Sequence, residues 1–344
     1  MKILVGISGG VDSAYAARKL LDEGHIVEGA VLIMHEFTEL SAAREAAESV
    51  GIKLHEIDCC VPFCQVKENF ASEYVKGRTP NPCIICNERV KFKYLYDFAI
   101  ENGFDAIATG HYAKIEKIEQ DNTLRYTLSI AEDVKKDQTY MLYRLSQEVL
   151  SRLILPLSEG TKVQIRDKAE KKGITAAKRS DSQEICFLPE GNHPEYIESV
   201  CGKCEKGNFI DENGNILGEH KGIIHYTVGQ RKGLGIALGE RVFVTDIDAE
   251  ENTVTLSKEF EGNVSVKITD MVYSGIEEPA DQIEIRAMVK LRYSAPLISA
   301  LARLYPDKTA EIILDYPQRF SPGQSAVLYV NNHVICGGFI DKKQ

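Results

Sequence analysis

The stretch Ile3-Leu4-Val5-Gly6-Ile7-Ser8-Gly9-Gly10-Val11-Asp12-Ser13 constrains this chain more than any other part of it. It reads as a short apolar strand, a Ser-Gly-Gly turn, and a helix opening at Asp12 or Ser13, both of which are N-cap types. From Ser13 to Glu23, Ala14, Ala17, Leu20 and Leu21 fall at spacings of three and four, and Gly24 stands where such a helix stops. A helix entered through glycines directs unpaired N–H groups, and the positive end of its dipole, at whatever lies above the turn. Both suit an anion such as pyrophosphate. Gly9 and Gly10 let the backbone come close to phosphates because neither has a Cβ. No Lys-Ser/Thr pair follows the glycines, and the spacing is not Gly-x-Gly-x-x-Gly. The Walker loop and the dinucleotide fingerprint are therefore both excluded.

Strand and helix then alternate. His25–Met34 reads as a strand, Leu40–Val50 as a helix closed by Gly51, Ile52–Ile57 as a third strand and Asp105–Thr109 as another. This order predicts an α/β fold with a doubly wound parallel sheet, whose ligands sit beyond the strand C-terminal ends at the switch point. Gly110, His111 and Tyr112 would reach that rim. Leu124–Ile130 predicts part of a hairpin. From about Gly207 the pattern becomes β-like, with a hairpin turn at Asn213-Gly214 and a basic glycine-rich loop over Tyr226–Gly235. Short strands follow at Arg241–Ile247, Thr253–Leu256, Val264–Val272, Ile283–Arg292, Ala310–Leu314, Ala326–Val330 and Val334–Ile340, with one helical turn expected at Leu297–Leu304. They predict a small antiparallel barrel or sandwich.

The chain has 344 residues, nine cysteines and a formal charge of −10. The acidic balance argues against non-specific coating of nucleic acid but leaves room for a local basic surface. Lys162, Arg166, Lys168, Lys171, Lys172, Lys178 and Arg179 form one such cluster. No run approaches a membrane span and no secretory leader is expected, so the expected setting is the cytoplasm, without a membrane partner. In a reducing compartment nine cysteines point to catalysis or metal binding rather than to structural bridges. Within Gly77–Lys93, two prolines extend a loop ahead of Cys83-Ile84-Ile85-Cys86. Cys86 is read at the start of a helix with Arg89 and Lys91 near, where its thiol pKa should fall. The same Cys-x-x-Cys spacing is also half of a zinc site. Its counterpart, Cys201 and Cys204, lies too far off for a compact ribbon. Cys186 reads as a packed thiol on periodicity alone, and Cys59, Cys60, Cys64 and Cys336 suggest no chemistry.

Taken together, Ser8–Ser13, Thr79–Asn87 with Lys91-Phe92, Thr109–Tyr112, Lys136–Gln138, Asp181–Phe187, Tyr226–Gly235 and Pro322–Val327 resemble, in that order, the tRNA-specific 2-thiouridylases. These are PP-loop ATP pyrophosphatases, related to the adenine nucleotide alpha hydrolases, that thiolate the wobble uridine of tRNA. The resemblance implies a PP-loop catalytic domain over 1–195, a small central domain over 196–262 and a C-terminal antiparallel β-barrel over 263–344. It implies ATP contacts at Gly6, Ile7, Ser8, Gly9, Gly10, Val11, Asp12, Ser13, Leu32 and Gly110, with Mg2+ beside Asp12. Cys86 matches the nucleophile, and Cys186 matches the cysteine that carries a persulfide and later closes a disulfide with Cys86. Asn81, Pro82 and Cys83 match the segment touching the target base. His111, Lys136, Asp137, Gln138, Arg292, Tyr293 and Gln324 match tRNA contacts. A protein or relay that delivers persulfide sulfur is implied as a second partner.

Two features depart from the family pattern. The segment Met34–Thr38 is short, and Cys83 stands where some members have Asp. The second raises an alternative in which Cys83, Cys86 and Cys186 hold a [4Fe-4S] cluster. A third reading, a non-catalytic nucleotide- or RNA-binding sensor, has no use for two thiols on separate loops.

Overall fold

The structure, a computed structural model, describes residues 1–120, 123–179, 185–188 and 192–342. The first element is strand β1 (Lys2–Gly6), followed by α1 (Val11–Asp22), β2 (Ile26–Ile33), α2 (Leu40–Val50), β3 (Leu54–Asp58) and α3 (Cys60–Val75). A short helix α4 (Pro82–Cys86) runs through a π-helical turn (Asn87–Lys91) into α5 (Phe92–Glu101), and β4 (Ala106–Ala108) follows. Strands β5 (Lys114–Gln120) and β6 (Thr123–Ser129) make the expected hairpin. Then come α6 (Thr139–Leu142), α7 (Gln147–Arg152), β7 (Leu153–Ile154), α8 (Lys162–Lys171) and α9 (His193–Cys201).

Strands β3-β2-β1-β4-β7 form one sheet in that order, and all four pairings are parallel. Its residues alternate between two covered faces, as a doubly wound sheet requires. Ile3 and Val5 pack with Ala14, Ala17 and Leu20 of α1 and with Ala43 and Ala46 of α2. Leu4 points the other way, into a cluster with Phe63, Phe70, Leu95 and Ile107. The chain leaves β1 toward β2 on one side and returns as β4 on the other, with Val5 paired to Ala108. The switch point therefore lies directly above Gly6 and Thr109.

The central part is a four-stranded sheet of β8 (Gly207–Ile210), β9 (Ile216–His220), β10 (Phe243–Asp248) and β11 (Thr253–Ser257), ordered β10-β11-β8-β9. Its β11–β8 pair is parallel, which places it apart from the barrel that follows. That barrel comprises β12 (Asn263–Tyr273), β13 (Ile283–Lys290), β14 (Ile298–Leu304), β15 (Ala310–Gln318), β16 (Ser325–Val330) and β17 (His333–Ile340). The order β12-β15-β14-β13-β16-β17 closes through β12–β17, leaving no free edge within the six. The helical turn expected at Leu297–Leu304 is instead strand β14. Ile298, Ala300, Ala302 and Leu304 are buried at alternate positions, a period of two that small residues had disguised.

The barrel does not stand alone. The β5–β6 hairpin of the first 130 residues joins its sheet, with Ser129 paired to His333 and the Thr127 hydroxyl donating to the Val334 carbonyl 207 residues away. Tyr140 and Tyr143 are fully buried and bond Ser325 through their hydroxyls.

Candidate functional site

The Ser8–Ser13 loop is shaped by its own hydroxyls. Ser13 Oγ accepts from the Ser8 amide (3.2 Å) and donates to the Gly10 carbonyl (3.0 Å), and Ser8 Oγ lies 3.3 Å from it. With Ser13 so engaged, the helix starts earlier than Asp12: Gly10 is the N-cap, in extended conformation, and no side chain caps the first turn. The donors of that turn are thus left for a ligand. Gly9, at φ +81°, presses against Ala42, where a Cβ would come within 2.7 Å. Above Gly10 there is open space, with only Ser8 Oγ near, at 3.5 Å from a Cβ built there. Leu32 lies one residue before the end of neighbouring β2 and is buried. Gly110 meets the start of α1 so closely that a Cβ would lie 2.6 Å from the Asp12 carbonyl carbon and 2.7 Å from the Ser13 nitrogen. These residues offer a polyphosphate backbone donors at close approach.

Asp12 is already partnered. Tyr112 donates to one carboxylate oxygen (2.8 Å) and Lys162 Nζ lies 2.6 Å from the other. Neither Tyr112 nor Lys162 was assigned to the loop from sequence. Lys162 was visible only as one of seven basic residues, and nothing local in its segment points 150 residues back.

The thiols sit on the same rim. Asn81 caps α4, its side chain accepting from the Cys83 amide (3.2 Å), with Pro82 in the first turn. Cys86 is therefore the last residue of α4 rather than the start of a helix. Its Sγ lies 3.7 Å from Met34 Sδ, just past β2. The expected depressed pKa is reversed: burial pushes the Cys86 thiol up to about 11, against the opposing pull of Lys91. Cys83 and Cys186 are also pushed up by the desolvation of a crowded neighbourhood, although both side chains are exposed to solvent. Cys86 feels both Cys83 and Cys186, Cys186 feels Cys83, and all three feel Lys91. His111 stacks at 5.4 Å on Phe92 and bonds Thr109 Oγ1 through Nδ1 (2.8 Å). Burial, helped by Lys91, pushes His111 down to about 3, so it is neutral at physiological pH. Cys186 is anchored by its neighbour Phe187, whose ring packs on Phe63, Phe70 and Tyr196. The Asp181–Glu184 part of that motif lies outside the described residues.

The polar residues expected at the tRNA divide into two groups. Asp137 is buried, bonding Thr139 Oγ1 (2.6 Å) and the Ala131 amide (3.3 Å), and Gln138 pairs with Tyr112 through backbone and side chain. Gln324 donates to the Thr79 carbonyl (2.7 Å), fixing the loop that leads to Asn81. Arg292 is exposed, Tyr293 stands between Tyr140 and Lys290, and Lys136 is half-buried. The basic cluster is largely spent within the protein: Lys162 on Asp12, Arg166 on the carbonyls of Ala177 and Arg179, Lys172 on Asp22 and Arg179 on Glu45.

Among the described residues no three His, Cys, Asp or Glu side chains gather as a metal set. Cys83, Cys86 and Cys186 thus do not fit a shared cluster in this arrangement, and neither does a zinc site joining the two Cys-x-x-Cys pairs. Cys59 is buried and pushed up to about 12, which makes it inert.

Comparison with known proteins covers almost the whole chain. The tRNA methyl transferase HUP domain matches residues 1–190, the tRNA methyl transferase PRC-barrel domain 195–258, and the aminomethyltransferase β-barrel domain 264–340. The tRNA-specific 2-thiouridylase MnmA of Treponema denticola is 41% identical over 99% of this chain and 98% of its own length. That of Acetivibrio thermocellus is 43% identical over 98% and 99%. A solved 4-thiouridine synthetase–RNA complex with bound ATP is far more distant, at 21% identity and a TM-score of 0.39 over 58% of this chain and 49% of the other.

Proposed function

The chain belongs to the tRNA-specific 2-thiouridylase family, and on that premise we propose that it uses ATP to convert the wobble uridine of tRNA to 2-thiouridine. What carries the reading is that the uncapped Gly10–Ser13 turn follows β1, while Cys86, with Cys83 and Cys186 near it, lies against Met34 at the same end of neighbouring β2. The uridine O2 attacks the α-phosphorus of ATP held over Ser8–Ser13, and pyrophosphate leaves. Asp12 would hold Mg2+, which neutralises charge on the polyphosphate. The terminal sulfur of a Cys186 persulfide then adds to C2 and AMP leaves with the oxygen. The Cys86 thiol attacks Cys186 Sγ, passing its proton to the departing sulfur on C2 as the sulfur–sulfur bond breaks. The product on the protein is a Cys86–Cys186 disulfide, which an external dithiol reduces.

In this reading Asn81, Pro82 and Cys83 line the base, and neutral His111 offers a polar group without a charge. Arg292, Lys136 and Tyr293 face the tRNA, whereas Gln324 and Asp137 act by holding loops in place. A persulfide-bearing donor protein loads Cys186, and the cytoplasm, where tRNA and ATP meet, is the expected compartment. No described helix is long and apolar enough to cross a membrane. The test is to incubate the protein with unmodified tRNA, Mg·ATP and a small-molecule persulfide such as glutathione persulfide, whose outer sulfur can pass to Cys186 without an oxidant. Nucleoside mass spectrometry should detect 2-thiouridine, with AMP and pyrophosphate formed in step. Release of ADP and phosphate instead would sink the assignment.

A further inference from the structure

The Ser8–Ser13 loop has no lysine of its own, yet a triphosphate carries more charge than the amides of one helix turn can balance. We propose that Lys162 is the phosphate-binding lysine of this loop, delivered from α8 and held on Asp12 until nucleotide arrives. The inference rests on the reading that the loop holds ATP.

Lys162 Nζ lies 2.6 Å from Asp12 Oδ2 in the first turn of α1, and its side chain is only 12% exposed. Its backbone is fixed at the start of α8. Thr161 and Gln164 form a reciprocal capping box, and the Lys162 amide donates to Asp133 (3.0 Å). Ile165 and Ala169 pack α8 into the same cluster as Ala14 and Ala17 of α1. The ammonium is thus brought to the anion cradle by a rigid element, with only its own four-carbon stem to move.

That placement is poor for a lysine with no further task. An ammonium largely removed from water, beside the positive end of α1, is costly to hold there, and the ion pair to Asp12 offsets that cost. The same position suits a cation that must meet phosphate oxygens, because a lysine offers three freely oriented donors on a flexible stem. Entry of Mg2+ and polyphosphate would give both members new partners: the carboxylate turns to the cation and the ammonium to the phosphates. The Tyr112 hydroxyl, 2.8 Å from the other Asp12 oxygen, keeps the carboxylate in place through the exchange.

Equilibrium binding of Mg·ATP, pyrophosphate and AMP to the full chain, without tRNA, tests this. Lys162→Met should weaken Mg·ATP and pyrophosphate about tenfold to a hundredfold, with AMP changed far less, and Lys162→Arg should recover part of the loss. Lys162→Gln replaces the methionine variant if that fails to fold. The decisive comparison is made in an Asp12→Asn background, where the ion pair is already gone. A further loss on adding Lys162→Met means direct contact with the nucleotide. No further loss there, or equal loss of AMP and ATP, means Lys162 acts only by placing Asp12 and overturns the inference. Failure of the unaltered protein to bind Mg·ATP would overturn the nucleotide reading and this inference with it.

Discussion

On the nucleotide side of the rim, the contacts that shape the site come from the α/β sheet: β1 and β4 side by side, the serine hydroxyls within the loop, Gly110 against the start of α1. On the thiol side several come from the barrel as well. Thr79 donates to the Pro322 carbonyl (2.7 Å) and Gln324 donates back to Thr79. Buried Arg144 bridges Glu88, in the turn after Cys86, to Asp270 of β12. One half is therefore set by local folding, while the other depends on a domain more than 180 residues downstream. Damage to the barrel should reach the thiols before it reaches ATP.

The largest effect should separate the halves outright. Cys86→Ser and Cys186→Ser should each abolish 2-thiouridine while Mg·ATP affinity stays within about twofold, because neither thiol touches the loop. Nucleoside mass spectrometry beside equilibrium binding checks this, and loss of ATP binding in either variant would mean the halves are one. A pair of glycine substitutions comes next. Gly110→Ala forces a methyl into the backbone of Asp12 and Ser13, which should cost about 1–3 kcal/mol and lower ATP affinity. Gly323→Ala, at φ +87° and 3.0 Å from the Thr79 amide, should cost about 1–2 kcal/mol yet impair thiolation more than ATP binding. Chemical denaturation with both assays reads the contrast, and equal loss in each assay for Gly323→Ala would break it.

A smaller effect follows from pH. Cys86 keeps its proton up to about 11 when folded, whereas an unfolded cysteine loses it near 8.5. The folded state binds more protons between those values, so this thiol's contribution to stability declines as pH rises through that window. Alkylation of Cys86 in the folded protein should be slow at pH 7.5 and rise about tenfold per unit below its pKa. Fast labelling at neutral pH would show a thiolate that the structure does not provide. Smallest of all, Arg292→Ala should weaken tRNA binding and reduce the salt slope by about one, measured by filter binding across salt concentrations.

Much of the nucleotide side could be read from residues alone, because a strand, two glycines and a helix are local and their geometry leaves few options. The helix start was misplaced because Ser13 bonds backward into the loop, a choice no propensity reveals. The thiol side was legible as motif and opaque as chemistry. Cys86 looked activated by Arg89 and Lys91, but its burial depends on Met34 and on packing from distant segments, and desolvation outweighs the nearby charge. Lys162 was read as part of a basic face because its carboxylate partner lies across the fold. Strand β14 was hidden for a related reason: Ala300 and Ala302 are apolar enough to be buried in a barrel and too small to announce a period.

The hairpin stitched into the barrel sets a timetable for making the protein. Strand β6 leaves the ribosome with its outer edge bare, and the residue that accepts the Thr127 hydrogen bond is made 207 residues later. At about 5–20 residues per second that interval is roughly 10–40 s, long against the microseconds a hairpin needs to form. Throughout it, Tyr140 and Tyr143 also lack the Ser325 they will be buried against. A nascent chain stalled before β16 would therefore carry a complete nucleotide loop beside an unfinished apolar wall, and that wall is where a chaperone would be expected to bind.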